Sequence, residues 1–203
     1  MPKFDNTPSN GHHIQGFSSE SFIDTNEVLD EFEIKGNETI MDLGCGDGHL
    51  AYDALKRLNK EGNVIAVDMY KPSIEDIEKD IKKEKIENLT AIYGDITQGI
   101  NVKDESVDIV ILINVYHHIN ISKMVKEAIT EMKRILKPNG KICIMEYKKQ
   151  KVKKGGPKFP MRVHQNTVIE SFENEGFKVE KLDTEVGEDI PEGKSHYLII
   201  FKK

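Results

Sequence analysis

The sequence predicts an α/β domain, a mostly parallel sheet with helices on both faces and an antiparallel pair of strands at its C-terminal end. Three observations predict it. Strand-length apolar runs alternate with stretches of helical period from residue 38 to residue 176, the arrangement of a parallel sheet with helical crossovers. The run VDIVILIN at 107–114 is apolar almost throughout, as suits a strand covered on both faces. The last two β runs, FKVEKLD and HYLIIFKK, are separated by an acidic stretch without helical period. That connection is too short and polar for a crossover helix, so the two runs are expected to pair antiparallel.

The elements follow in order. Residues 1–22, rich in Asn, Ser, Gly and His, read as a flexible lead-in to one domain over 23–203. Asp24 or Thr25 can cap a short helix to about Phe32, with Val28, Leu29 and Phe32 on one face. ETIMDL is the first strand, and HLAYDALKRLNK is a helix with Leu50, Ala54, Leu55 and Leu58 at helical spacing. NVIAVDM is the second strand. Pro72 opens the next helix, whose Ile74, Ile77 and Ile81 make one stripe. NLTAIYGD and VDIVILIN are the third and fourth strands. ISKMVKEAITEMKRIL reads as one long helix closed by the turn KPNG, and KICIMEY as the fifth strand. A lysine-rich loop spans 148–158, and NTVIESFENEG is a helix ended by Gly176.

Composition narrows the function classes. A chain of 203 residues can bury a sizeable core. A net charge of −6 provides no electrostatic footprint for nucleic acid. No apolar run approaches the ~18 residues of a membrane span. MPKFDNTPSNGHH lacks the apolar core of a secretion signal, so the cytoplasm is the expected location. Cys45 lies in a glycine loop and Cys143 in an apolar strand, which makes neither a disulfide framework nor a metal pair. The adjacent pairs His12-His13 and His117-His118 do not have the separated spacing of zinc ligands, so no metal is expected.

The stretch TIMDLGCGDGHLA at 39–51 carries the chemistry. Glycines 44, 46 and 48 follow a strand where ligands of open α/β sheets bind, and they let the backbone turn tightly and approach a ligand. The spacing G-C-G-D-G is one residue shorter than the dinucleotide fingerprint, and Asp42 and Asp47 flank it. Carboxylates repel phosphate and suit a cation. S-adenosylmethionine carries a sulfonium and an α-ammonium and no phosphate, and Asp42 is placed for the ammonium. Asp68, about 20 residues beyond the loop, can accept from both ribose hydroxyls, a feature shared with NAD sites. Asp95 can accept from the adenine amine, the Ile96 amide can donate to a ring nitrogen, and Met69 and Ile96 can wall the ring.

Five stretches then resemble the class I S-adenosylmethionine-dependent methyltransferases in order and spacing: DLGCGDG at 42–48, AVDM at 66–69, YGDI at 93–96, DIVILINVYHHI at 108–119 and MKRILKPNGKICIMEY at 132–147. Within that family the chain looks most like the small ubiquinone/menaquinone-biosynthesis-type and type 11 enzymes, although the N-terminal Tyr-Asp and Ser…His…Trp pattern of the quinone enzymes is not evident. The resemblance implies a Rossmann-like seven-stranded sheet, with strand 7 inserted antiparallel between strands 5 and 6. It also implies that Cys45, Gly94, Asn114 and Val115 join the cofactor contacts, and that S-adenosyl-L-homocysteine is the product.

The acceptor side is read from the ends of strands 4 and 5. His117 is a candidate general base, since histidine titrates near neutral pH, and Glu146 is the second catalytic candidate. His118, Tyr147 and Arg162 are candidates for the acceptor pocket. KKQKVKKGGPK at 148–158 holds six lysines in eleven residues; it is either a solvated loop or a lid that attracts an anionic small-molecule acceptor. Neither the acceptor nor an oligomeric state is legible. Two other classes stay open: a catalytically silent protein that binds S-adenosylmethionine for regulation, and an NAD(P)-dependent dehydrogenase.

Overall fold

The computed structural model describes residues 23–150 and 156–203. The flexible lead-in expected over 1–22 and the middle of the lysine loop lie outside them. Among the described residues, seven strands form one sheet: β1 (Thr39–Leu43), β2 (Asn63–Asp68), β3 (Leu89–Tyr93), β4 (Val107–Ile113), β5 (Leu136–Tyr147), β6 (Lys178–Ile190) and β7 (Gly193–Lys202). Their order across the sheet is β3-β2-β1-β4-β5-β7-β6. β1 to β5 run parallel, and β7 lies antiparallel between β5 and β6. The expected architecture, including the inserted antiparallel strand, is the one observed.

The alternation of side chains along the central strands builds two cores. Ile109 and Ile111 of β4 face α1 (Thr25–Leu29), α2 (His49–Leu55) and α3 (Lys71–Glu84). Val110 and Leu112 face α4 (Tyr116–Ser122), α5 (Val125–Ile135) and α6 (Gln165–Asn174). Both sets are buried, which is why β4 reads as an unbroken apolar run. In α5 the buried set is Ala128, Ile129, Met132 and Ile135, one stripe of a 3.6-residue helix. α6 is pinned by Phe172, whose ring stacks on Phe201 of β7 with centroids 4.3 Å apart.

Three elements differ from the reading of the sequence. The long helix expected over 121–136 starts only at Val125, because Lys123 takes the left-handed conformation (φ 62°) and closes a separate helix, α4, that begins at Tyr116. KPNG does not terminate the segment; it is a bulge inside β5. Leu136 pairs with Val107 and Lys141 with Ile109, with Asn139 at φ 68° between them. The acidic stretch before residue 193 is strand rather than loop, and β6 reaches Ile190. Register shifts between Val179 and Lys181 and again after Asp183 break the two-residue alternation that would have marked it.

Candidate active site

β1 and β4 are neighbours whose crossovers leave in opposite directions, so the sheet opens a crevice at their carboxyl ends. The glycine loop lies there. The Gly44 and Cys45 amides both donate to the Val67 carbonyl, at 2.7 and 3.0 Å, which draws the loop against β2. Gly44 (φ 80°) has no room for a side chain, since a Cβ would stand 2.3 Å from Val115 Cγ2. Gly46 (φ 54°) is the opposite case: a Cβ there would meet nothing within 4 Å. Gly44 is thus required by packing, whereas Gly46 borders open space. Gly48 (φ 82°) starts α2, and a Cβ there would stand 3.0 Å from Ile77 Cδ1. The Cys45 side chain is buried, with its thiol pushed up by burial and by Asp42.

Asp42, next to last in β1, is 5% exposed and accepts from the Ala51 amide at 3.1 Å. Burial pushes its carboxyl up to about 8, with Asp68 and Asp47 adding in the same direction. The charges that act on Asp42 are those of two other acids, and the main chain at Gly46 borders open space. Asp68 ends β2. Its Oδ2 accepts from Gly46 N at 2.8 Å and its Oδ1 from Tyr70 N at 2.7 Å. Burial raises its carboxyl too, against those hydrogen bonds. A carboxylate has about four acceptor positions, and the Gly46, Tyr70 and Met69 amides all act on this one, so it keeps capacity for a further donor.

Past β3, the Gly94 amide donates to the Asp68 carbonyl at 3.0 Å and joins the second acid to the third. Asp95 Oδ1 accepts from the Thr97 amide and hydroxyl at 2.9 and 2.8 Å, and so caps a single 3-10 turn, Ile96–Gln98. Ile96 is buried beneath it, whereas Met69 is 50% exposed and Tyr93, paired with Asp68 across the sheet, is 60% exposed. Exposed apolar groups at strand ends suit a flat ring. The sequence reading missed Tyr93.

At the end of β4, Asn114 has φ 59°, its amide donates to the Met145 carbonyl at 2.9 Å, and its Oδ1 is buried without a partner. Val115 packs on Gly44. α4 then begins, and His117 turns back to β5. Its Nδ1 lies 3.0 and 2.9 Å from the two oxygens of Glu146, and its amide donates to Glu146 Oε1 at 3.0 Å. Glu146 is fully buried and His117 is 3% exposed. The His118 ring lies 4.0 Å from that of His117.

Tyr147 and Arg162 form a separate group. Arg162 Nε donates to the Pro157 carbonyl at 2.9 Å and Nη1 to the Gln150 carbonyl at 3.0 Å, so it ties both ends of the lysine loop together. Its guanidinium also stands 5.2 Å over the Tyr147 ring, and the His196 ring lies 3.9 Å from the Tyr147 ring, tilted by 42°. Burial pushes the Tyr147 hydroxyl up to about 12 and His196 down to about 3, so both are neutral near pH 7. Arg162 is buried rather than presented to solvent. A cavity of about 210 Å³ lies on the α1 face, lined in part by Val28, Glu27, Met145, Val186 and Leu198.

A family model described as a methyltransferase domain matches residues 34–197. An uncharacterized methyltransferase from Schizosaccharomyces pombe is 34% identical over 121 residues, 60% of this chain and 43% of that protein. An uncharacterized protein from Methanocaldococcus jannaschii is 31% identical over 153 residues, 75% of this chain and 60% of that protein. The chain spans about half the length of these curated relatives. Among solved structures, a SAM-dependent methyltransferase from Aquifex aeolicus has a TM-score of 0.77 at 23% identity, over 92% of this chain and 94% of that one. At that identity the likeness shows the fold.

Proposed function

The chain belongs to the class I S-adenosylmethionine-dependent methyltransferase family, and on that premise we propose that it transfers the methyl group of S-adenosylmethionine to a small-molecule acceptor. The observation that carries the reading is the pairing of open space at Gly46 with the buried, cation-deficient Asp42. The donor supplies an already activated methyl group on a sulfonium. Asp42 would hold the α-ammonium, together with the unpartnered Asn114 Oδ1. Asp68 would take the ribose hydroxyls while it fixes Gly46. Asp95 and the Ile96 amide would read the adenine edge, with Met69 and Tyr93 against the ring. The sulfonium would then face the ends of β4 and β5.

For such a displacement the protein mainly aligns and desolvates the reactants, and alignment alone can be worth several kcal/mol, roughly 7–11 in well-oriented cases. The six lysines of the sequence 148–158 favour an anionic acceptor, and a cytoplasmic location is part of the same proposal. The glycine spacing and the acid at 42 count against a dinucleotide. Incubation with donor labelled in the methyl group and a cell extract tests the function: label is expected in a low-mass product. Donor bound tightly with no product from any extract would favour a silent, regulatory binder.

A further inference from the structure

We infer that His117 and Glu146 form a proton-accepting pair at the ends of β4 and β5, and that the methyl acceptor therefore carries a proton on the atom that becomes methylated. The inference rests on the proposed methyl transfer and narrows its acceptor class to O–H, S–H or N–H compounds.

The geometry is that of a held base. Both oxygens of Glu146 lie within 3.0 Å of His117 Nδ1. An ionised carboxylate only accepts, so Glu146 selects the Nδ1–H tautomer of a neutral ring, the tautomer in which Nε2 holds the lone pair. Glu146 also accepts the His117 amide and so caps the first turn of α4. Capping alone does not require the ring. Asp24 and Asp95 cap their helices with main-chain donors and, for Asp95, a hydroxyl, and neither is buried. Glu146 is fully buried and spends both oxygens on one imidazole. The other titratable groups around the pair are His118, whose ring is tilted by 42° against that of His117, and the hydroxyls of Tyr116, Tyr147 and Tyr197. All three phenols are raised by burial and by Glu146, so they stay protonated and neutral. His117 stands two residues beyond Val115, whose side chain touches the glycine loop at Gly44. The start of α4, which carries His117, is thus joined to the glycine loop through Val115.

The step balances. The acceptor's lone pair attacks the methyl carbon, the new bond to carbon forms, and the sulfur–methyl bond breaks with its electron pair going to sulfur. The acceptor's proton passes to Nε2 of His117. Nδ1–H stays on Glu146, whose charge stabilises the imidazolium. His117 would be the catalytic residue and Glu146 a positioning residue.

The test is nitrogen NMR of the protein labelled in its histidine rings and saturated with S-adenosylhomocysteine. Expected is the Nδ1–H form of His117 with a bare Nε2 that takes up a proton reversibly on acidification before the fold is lost. In Glu146→Gln the bias to Nδ1–H is expected to fall, and in Glu146→Asp to be partly kept. A His117 that holds its proton on Nε2, or whose Nε2 takes up no proton until unfolding, overturns the inference and leaves a helix cap. The wild-type spectrum decides even if Glu146→Gln does not fold. Failure of S-adenosylhomocysteine to bind, read by calorimetry on the same sample, would instead strike the proposed function.

Discussion

The carboxylate of Asp68 holds the main chain of Gly46, with Oδ2 2.8 Å from the Gly46 amide. An acid at the end of β2 therefore shapes the loop at the end of β1, before any ligand is considered. Asp68→Ala should then act twice. Loss of hydrogen bonds to a charged group should weaken S-adenosylhomocysteine by about 1.5–3 kcal/mol, and the melting temperature should also fall, because the Gly46 and Tyr70 amides lose their partner. Asp68→Asn, which keeps one acceptor oxygen, should lose less of both. Calorimetry and thermal melts on the two variants check this.

Asp42 sets a pH dependence. Its carboxyl stands at about 8 in the fold against an ordinary value of 3.8. A raised folded value means that its contribution to stability is complete below the unfolded value and is lost as pH rises through about 8. Stability of the ligand-free protein should fall across that window, and less so in Asp42→Asn. An ammonium beside Asp42 favours its ionised form. Binding of S-adenosylhomocysteine at pH 7 should therefore release a proton, visible as a binding enthalpy that varies with the ionisation heat of the buffer. Asp42→Asn should remove that variation.

Gly44 and Gly46 should respond differently to alanine. At Gly44 the new methyl would stand 2.3 Å from Val115, so Gly44→Ala should lower stability markedly, beyond the roughly 1–2 kcal/mol of left-handed backbone strain. At Gly46 only that strain applies, since nothing stands within 4 Å. Gly46→Ala should fold yet bind S-adenosylhomocysteine at least tenfold more weakly, because its methyl occupies the donor's space. Equal effects in melts and in binding at both positions would show that Gly46 does not face the ligand.

Phe172 anchors α6 on the sheet through its stack on Phe201. Phe172→Ala should cost about 3–5 kcal/mol, measured by urea unfolding. Phe172 lies on the α6 face of the sheet, away from the glycine loop, so affinity for S-adenosylhomocysteine should stay unchanged in the fraction that folds.

What was legible in the sequence had local causes. The glycine loop, the strand-end acids 42, 68 and 95, and the unbroken β4 run each follow from residues a few positions apart. The split between α4 and α5 was hidden because Lys123 adopts the left-handed turn without a glycine to signal it. The extent of β6 was hidden by its bulges. The His117–Glu146 pair joins residues 29 positions apart, brought together by the parallel pairing of β4 and β5. His117 and Glu146 could be named as candidates, but not as partners. The clamp of Asp68 on Gly46 was not legible, since that contact depends on how the loop folds back over β2.

Calorimetric titration of the protein with S-adenosylhomocysteine, and separately with NAD, tests the donor site most directly. Expected is saturable one-to-one binding of S-adenosylhomocysteine, weakened in Asp68→Ala and Gly46→Ala, with NAD much weaker. NAD binding tighter than S-adenosylhomocysteine, or no binding of S-adenosylhomocysteine at all, would contradict the assignment.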